Sequence, residues 1–169
     1  MKSFQTDVLP LKNDLFRLAL RITMNREEAE DVVQETMMKV WNRREEWEQI
    51  ESMEAFCFTI CRNLSLDKVR RLGNHVETLE PHHDPSDTSY GANPEEQAVQ
   101  RDRVTLVRTL ISQLPEKQRT CMQLRDMEGK AYKDIAQVMG ITEQQVKVNI
   151  FRARQTIKQR FLQIEQHGL

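Results

Sequence analysis

Basic and amide side chains are concentrated on one predicted helix near the C-terminus, where they suit contact with nucleic acid. Glu143 is the only nearby acid, and the basic and amide residues that follow are Lys147, Asn149, Arg152, Arg154, Lys158 and Arg160. Amides can pair bidentately with adenine, so Gln144, Gln145 and Asn149 are candidates for base contacts, while lysine and arginine suit phosphates and guanine. The free N–H groups at the start of such a helix also favour a phosphate. The pattern predicts DNA binding; a structural helix with a solvated charged face is the alternative.

A helix-turn-helix is the element expected to position these side chains. The short amphipathic segment YKDIAQVM ends at Gly140, which suits a left-handed C-cap. Thr142 and Gln145 then have the spacing of a capping box for the next helix. The predicted inward face of that helix is apolar and comprises Val146, Ile150, Ala153, Ile157, Phe161 and Ile164. A short helix, a glycine-containing turn and a longer basic helix together predict the motif.

The rest of the chain also follows helical periodicity. In the first part, Asn25 and Ser52 are predicted N-caps of two long helices, the first with Trp41 on its apolar face and the second with Phe56. The second of these helices ends in a basic cluster. In the second part, Asn93 and Pro94 predict another helix start, and its expected apolar face comprises Val99, Val107, Leu110, Ile111 and Leu114. Because no strand pattern competes, the sequence predicts an all-α protein.

Charge is segregated along the chain and divides it into three parts. Residues 74–97 hold six acids, no lysine or arginine, three prolines and almost no apolar residues, so they predict a flexible acidic linker. Residues 1–73 carry a net charge of −1 and residues 98–169 a net charge of +6. We therefore expect two small helical domains, 1–73 and 98–169, the second with an anionic partner. Domains of this size are near the lower limit for an independent core, so docking on a partner would help both.

Membrane, metal and catalytic functions find little support. No apolar run approaches the roughly 18 residues of a membrane span, and no apolar segment resembles a secretory signal, so a cytoplasmic protein without cofactor or metal is expected. The cysteines are Cys57, Cys61 and Cys121. Zinc would need further ligands from His75, His82 and His83 in the polar linker, so thiols in the core are expected instead. No phosphate loop, nucleophile elbow or metalloprotease motif is present.

Three stretches in order resemble extracytoplasmic-function (ECF) sigma factors, the promoter-specificity subunits of bacterial RNA polymerase. They read AEDVVQETMMKVW, FCFTICRNLSLDKVRR and LPEKQRTCMQLRDMEGKAYKDIAQVMGITEQQVKVNIFRARQTIK. The resemblance covers roughly residues 10–73 and 98–162. It implies that residues 1–73 act as sigma region 2, in polymerase docking and −10 recognition, and that residues 98–169 act as sigma region 4, in −35 recognition.

The resemblance also implies roles for individual residues. The helix that carries the acid and amide residues Glu30, Asp31, Gln34 and Glu35 would dock on the β′ clamp helices of polymerase. Residues 47–61 match the segment that captures an unstacked −10 base, a step in which melting is coupled to recognition. The backbone of the DNA strand that carries this base would be held by Arg62, Asn63, Lys68, Arg70 and Arg71. The −35 element would be read in the major groove by Thr142, Gln144, Gln145, Lys147, Val148, Asn149, Phe151, Arg152 and Arg154.

Further partners follow from the same resemblance. They are the β flap of core polymerase, promoter DNA and an anti-sigma factor linked to the membrane, with no membrane insertion of this chain itself. Alternatives remain open: a free-standing helix-turn-helix transcription regulator, a helical adaptor that only holds other proteins, and a hydrolase that uses His82 and His83. The free-standing regulator is the main alternative, although such a protein would more often carry a ligand-sensing domain in place of residues 1–73.

Overall fold

The computed structural model describes residues 1–73 and 93–167, and every regular element within these ranges is a helix. The all-α prediction is confirmed for this part of the chain. Most of the predicted linker, including His75, His82 and His83, lies outside the described residues. Its last residues, from Pro94, already belong to a helix.

The N-terminal module consists of three long helices: α1 (Lys12–Thr23), α2 (Arg26–Asn42) and α3 (Met53–Leu72). A helical turn, Phe4–Val8, precedes them, and a 3-10 helix, Arg44–Gln49, joins α2 to α3. Both predicted N-caps are confirmed, because the Asn25 side chain accepts the N–H of Glu28 at 3.0 Å and Ser52 accepts that of Ala55 at 3.1 Å.

The apolar faces of these helices form the core of the module, with one exception. Phe58, in the first half of α3, is fully buried, and Trp47 donates its indole N–H to the carbonyl of Val40 at 3.0 Å. Trp41, expected in the core, is 47% exposed and packs edge-on against Phe4 and Trp47. It is left at the rim because Trp47 fills the adjacent interior position.

The C-terminal module consists of α4 (Pro94–Ser112), α5 (Glu116–Met122), α6 (Tyr132–Met139) and α7 (Glu143–His167). A π-helical turn, Gln123–Met127, continues α5. Helices α4, α5 and α7 share a small apolar cluster of Val107, Ile111, Leu114, Met122, Ala153 and Ile157. Val99, expected on the inner face of α4, is 53% exposed because this cluster begins only at Val107.

The two modules pack directly against each other. Helix α6 lies against α3, and α5 approaches α1. One continuous apolar core contains residues of α1, α2 and α3 together with Cys121, Leu124, Ile135, Val138, Met139, Val146 and Ile150 of the second module. Each module therefore covers apolar surface that the other would expose to water, which favours their association.

Candidate functional site

Hydrogen bonds cap both the end of α6 and the start of α7, on either side of the turn of the helix-turn-helix. Gly140 adopts the left-handed conformation, with φ of 65°, and the N–H of Ile141 reaches back to the carbonyl of Ala136 at 3.1 Å. Thr142 and Gln145 form the predicted reciprocal cap: the Thr142 N–H donates to Gln145 Oε1 at 3.0 Å, and the Gln145 N–H donates to Thr142 Oγ1 at 3.1 Å. The start of α7 is thus fixed against α6.

One side of α7 is buried and the opposite side faces solvent. Val146, Ile150 and Ala153 are buried against α5 and α6. The predicted −35 residues lie mostly on the solvent side, where Phe151 is 65% exposed and Val148 is 38% exposed. The other exposed members of this set are Thr142, Gln144, Gln145, Lys147, Arg152 and Arg154. The surface therefore presents amide, cationic and apolar groups together, the combination that can contact both phosphates and base edges.

Asn149 and Lys147 on this surface each contact a neighbouring residue. Asn149 donates its amide N–H to the carbonyl of Gln145 at 2.8 Å, one turn earlier. The Lys147 ammonium lies 5.2 Å from the ring centre of Tyr132, and the guanidinium carbon of Arg125 lies 4.2 Å from the same ring centre. Such cation–π contacts restrict the lysine without removing its charge.

Arg154 forms an ion pair with Asp126 of the π-helical turn. Its Nε donates to Asp126 Oδ2 at 2.9 Å, and a second contact joins Nη2 to Oδ1. This hydrogen bond raises the pKa of Arg154. The pair anchors α7 to the turn that follows α5. Of the predicted −35 cations, it leaves Lys147 and Arg152 without a carboxylate contact among the described residues.

A second polar surface lies on α2. Glu30, Asp31, Gln34 and Glu35 are all exposed and occupy neighbouring positions one turn apart. Glu30 pairs with Arg26 at 3.2 Å and Glu35 with Lys39 at 3.7 Å. Met38, 65% exposed, and Trp41 continue the same helix beyond this acid and amide face. Acidic groups beside exposed apolar ones suit a protein partner with basic and apolar groups.

The predicted −10 residues lie between the middle and the end of α3, and they differ in exposure. Asn63, Arg70 and Arg71 are exposed, and Arg70 has a long contact of 3.5 Å with Asp67. Lys68 instead lies 3.1 Å from Glu28 and 3.9 Å from Asp31 on α2.

Arg62 is the most enclosed of the five. It is 8% exposed and donates to Glu116 of α5 through two bonds, Nε to Oε1 and Nη2 to Oε2, both 2.9 Å. Burial by itself raises the pKa of Glu116, but the hydrogen bond and charge of Arg62 outweigh it, so the net shift is downward.

Comparison with known proteins assigns this architecture to a family. Residues 8–75 match the family model for sigma-70 region 2, and residues 105–157 match that for sigma-70 region 4. The ECF RNA polymerase sigma factor SigL of Mycobacterium tuberculosis is 32% identical over 147 residues, which cover 85% of this chain and 80% of SigL. The chain belongs to the ECF sigma factors. It is accordingly a sigma factor that acts in promoter-directed transcription initiation, and this family is not one of enzymes.

Solved structures show the same fold as this sigma factor. RpoE of Bartonella quintana, in a co-crystal structure with the anti-sigma factor NepR, gives a TM-score of 0.74 at 24% identity and covers 97% of this chain and 99% of RpoE. CnrH, in complex with the cytosolic domain of CnrY, gives 0.65 at 19% identity over 92% of this chain and 84% of CnrH.

Sequence reasoning missed the charged groups of this sigma factor that join the two modules. Arg17 donates to Glu128 through two bonds of 2.8 and 2.9 Å, and Lys133 lies 2.9 Å from Glu51. Lys130 contacts Glu54 directly and Asp14 at 3.5 Å. The partners of these pairs are 76 to 116 residues apart in the chain, so no local pattern marks them.

The described part of this sigma factor offers no metal site. Residues 1–73 and 93–167 contain no group of histidine, cysteine and acidic side chains able to hold a metal ion. All three thiols are buried, as expected, and burial raises the pKa of Cys57 and Cys61 to about 12. Within the same ranges, no helix combines the length and apolar character needed to cross a membrane.

Proposed function

We propose that this sigma factor contacts promoter DNA through two separate surfaces and polymerase through a third. The −35 element is read by the exposed side of α7, the −10 strand is held by residues 62–71 of α3, and core polymerase docks on the acid and amide face of α2. The observation that carries the proposal is the reciprocally capped helix-turn-helix, which buries one side of α7 and presents amide and cationic groups on the other.

The −35 contacts divide into phosphate and base contacts. Lys147 and Arg152 suit phosphates or guanine, because neither has a carboxylate contact among the described residues. Gln144 is placed at the start of the helix, where side chains reach base edges in helix-turn-helix complexes. Val148 and Phe151 add apolar groups that can contact thymine methyls.

Polymerase docking is assigned to α2 because its exposed acids are close enough to act as one surface. Glu30, Asp31, Gln34 and Glu35 lie on adjoining turns, and the exposed Met38 extends the surface with an apolar group. The β′ clamp helices are the proposed partner of this face, and the β flap is the proposed partner of the C-terminal module.

We further propose that the protein acts in the cytoplasm, has no catalytic activity of its own and is controlled by an anti-sigma factor linked to the membrane. Support comes from RpoE and CnrH, whose structures were solved with NepR and with the cytosolic domain of CnrY. Polymerase supplies the chemistry of transcription.

Run-off transcription from fragmented genomic DNA of the source bacterium tests the proposal. Core polymerase is assayed alone, with the wild-type protein, and with Arg152→Ala as a matched variant on the α7 surface. We expect discrete new transcripts with wild type and weaker ones with Arg152→Ala. New transcripts of equal strength with both proteins would remove Arg152 from the reading surface. If no new transcripts appear although polymerase binds the protein, the proposed DNA surfaces are wrong.

A further inference from the structure

The guanidinium of Arg62 is already occupied by a carboxylate of the opposite module. Glu116 accepts from Nε and Nη2 of Arg62, both at 2.9 Å, and its Oε1 also accepts from Thr120 Oγ1 at 2.9 Å. The two side chains of the pair are only 10% and 22% exposed. Thr120 therefore orients the carboxylate, and the protein shields the pair from most of the solvent.

A carboxylate and a phosphate compete for the same edge of an arginine. The planar guanidinium forms one fork of parallel N–H bonds, which fits either anion bidentately. When Glu116 fills this fork, a phosphate cannot approach the same two nitrogens. The burial of Arg62 beneath α5 adds steric exclusion, because a nucleic acid strand cannot reach a side chain that is 8% exposed.

The rest of the interface holds the modules in the position that this pair requires. Arg17–Glu128, Lys130–Glu54 and Lys133–Glu51 also cross between the modules, as does the apolar core beneath them. Burial by itself lowers the pKa of Lys130, but its contacts with the carboxylates of Glu54 and Asp14 outweigh this, so the net shift is upward.

We propose that Glu116 acts as an internal substitute for a DNA phosphate, so that packing of the two modules and binding of the −10 strand by Arg62 exclude each other. The proposal rests on the proposed role of Arg62 in strand binding and adds its regulation. Promoter binding then requires the modules to separate, and the apparent affinity for DNA is lowered by the fraction of molecules that remain closed.

Glu116→Gln tests this proposal against a closely matched control. The variant keeps the size of the side chain but removes its charge, which leaves a buried arginine without a counter-ion and favours opening. Glu128→Gln removes an equivalent carboxylate that also receives two bonds from an arginine across the interface, yet its partner Arg17 is not assigned to DNA. Binding is measured by anisotropy with a labelled single strand that carries the −10 element mapped by run-off transcription.

We expect Glu116→Gln to bind this strand about tenfold more tightly than wild type, which is the effect of about 1.4 kcal/mol. Glu128→Gln should give a clearly smaller gain, because opening alone does not release the fork of Arg62. Adding Arg62→Ala to Glu116→Gln should abolish the gain. Equal affinity of Glu116→Gln and wild type overturns the proposal, as does an equal gain in both glutamine variants.

The single variant Arg62→Ala separates failure of this inference from failure of the proposed function. If Arg62→Ala weakens strand binding while Glu116→Gln does not strengthen it, Arg62 contacts DNA but Glu116 does not compete. If neither variant changes strand binding, the proposed −10 role of Arg62 is wrong and the inference fails with it.

A distance measurement on the otherwise wild-type chain keeps the test independent of the stability of these variants. Fluorescent labels at Glu45→Cys and Gln163→Cys, both exposed positions, report the separation of the modules, while the native cysteines are buried. We expect energy transfer to fall as the −10 strand is added, with the same midpoint as binding. Saturating binding with unchanged transfer would overturn the proposal.

Discussion

Gln123 is a buried polar side chain whose replacement should stabilise the protein. It begins the π-helical turn after α5 and is 0% exposed. Neither its amide nitrogen nor its amide oxygen has a hydrogen-bond partner in the described structure. A buried donor or acceptor without a partner costs about 1–3 kcal/mol, because it gives up hydrogen bonds to water and gains none.

Gln123→Met removes this cost and keeps nearly the same side-chain volume. Because a volume-conserving exchange in a core costs less than about 1.5 kcal/mol, we expect a net gain of about 1 kcal/mol in the free energy of unfolding. For a chain of this length, that corresponds to a rise in Tm of about 2–4 °C. Gln123→Ala also removes the amide, but it leaves a cavity that costs about 2–5 kcal/mol, so its Tm should fall.

Thermal and urea unfolding followed by circular dichroism measure both effects. Gln159→Met is the matched control, because the same exchange on the exposed side of α7 should change stability by no more than about 0.5 kcal/mol. If Gln123→Met melts below wild type while Gln159→Met does not, the amide has a partner in the folded protein and the reasoning is refuted.

One more measurement is possible for each of four features: helix α7, the acid and amide face of α2, the ion pair between the modules, and the thiols. Arg152→Ala should weaken promoter binding and reduce the slope of log affinity against log salt by about 0.9 for one lost phosphate contact; an unchanged slope in anisotropy titrations would contradict this. Asp31→Asn should lower the affinity for core polymerase in surface plasmon resonance while strand binding by the full chain is retained, and equal polymerase affinity would exclude Asp31 from the docking face. The lowered pKa of Glu116 means that its pair with Arg62 stabilises the fold fully above the ordinary value of 4.5 and that this contribution is lost as pH falls through the lower folded-state pKa. The difference in urea stability between wild type and Glu116→Gln should therefore shrink on acidification, and a constant difference would argue against the pair. Burial raises the pKa of Cys57 and Cys61 to about 12 and that of Cys121 to about 11. Iodoacetamide at pH 8 should therefore alkylate none of the three thiols before unfolding and all of them after it, and mass spectrometry counts the alkylated thiols.

Features that depend on neighbouring residues could be predicted from the sequence. The caps at Asn25 and Ser52, the left-handed Gly140 and the reciprocal bonds of Thr142 with Gln145 all appear as expected. Each is decided within a few residues, because a helix end needs only a suitable side chain for its unpaired N–H or C=O groups. The helix-turn-helix and its exposed polar side follow from the same local rules.

Burial at the rim of the core was decided by tertiary packing. Trp41 and Val99 have helical spacing that suits an interior position, yet both are about half exposed. Periodicity shows which side of a helix is apolar, but it does not show how far the neighbouring element extends along that side. Trp41 is exposed because Trp47 fills the adjacent interior position, and Val99 is exposed because the apolar cluster between α4 and α7 begins only at Val107.

Whether a proposed DNA-contacting side chain is already paired with a carboxylate depended even more on the tertiary structure. The amino-acid sequence by itself determined that the end of α3 is basic and that α7 carries a cationic, amide-rich surface. Only the folded arrangement placed Glu116 against Arg62, 54 residues away, and Asp126 against Arg154. The Arg154–Asp126 pair requires α7 to pack on the turn after α5, and the Arg62–Glu116 pair requires both modules to be docked in one orientation. Such packing results from the complementarity of whole surfaces, which no local stretch of sequence contains.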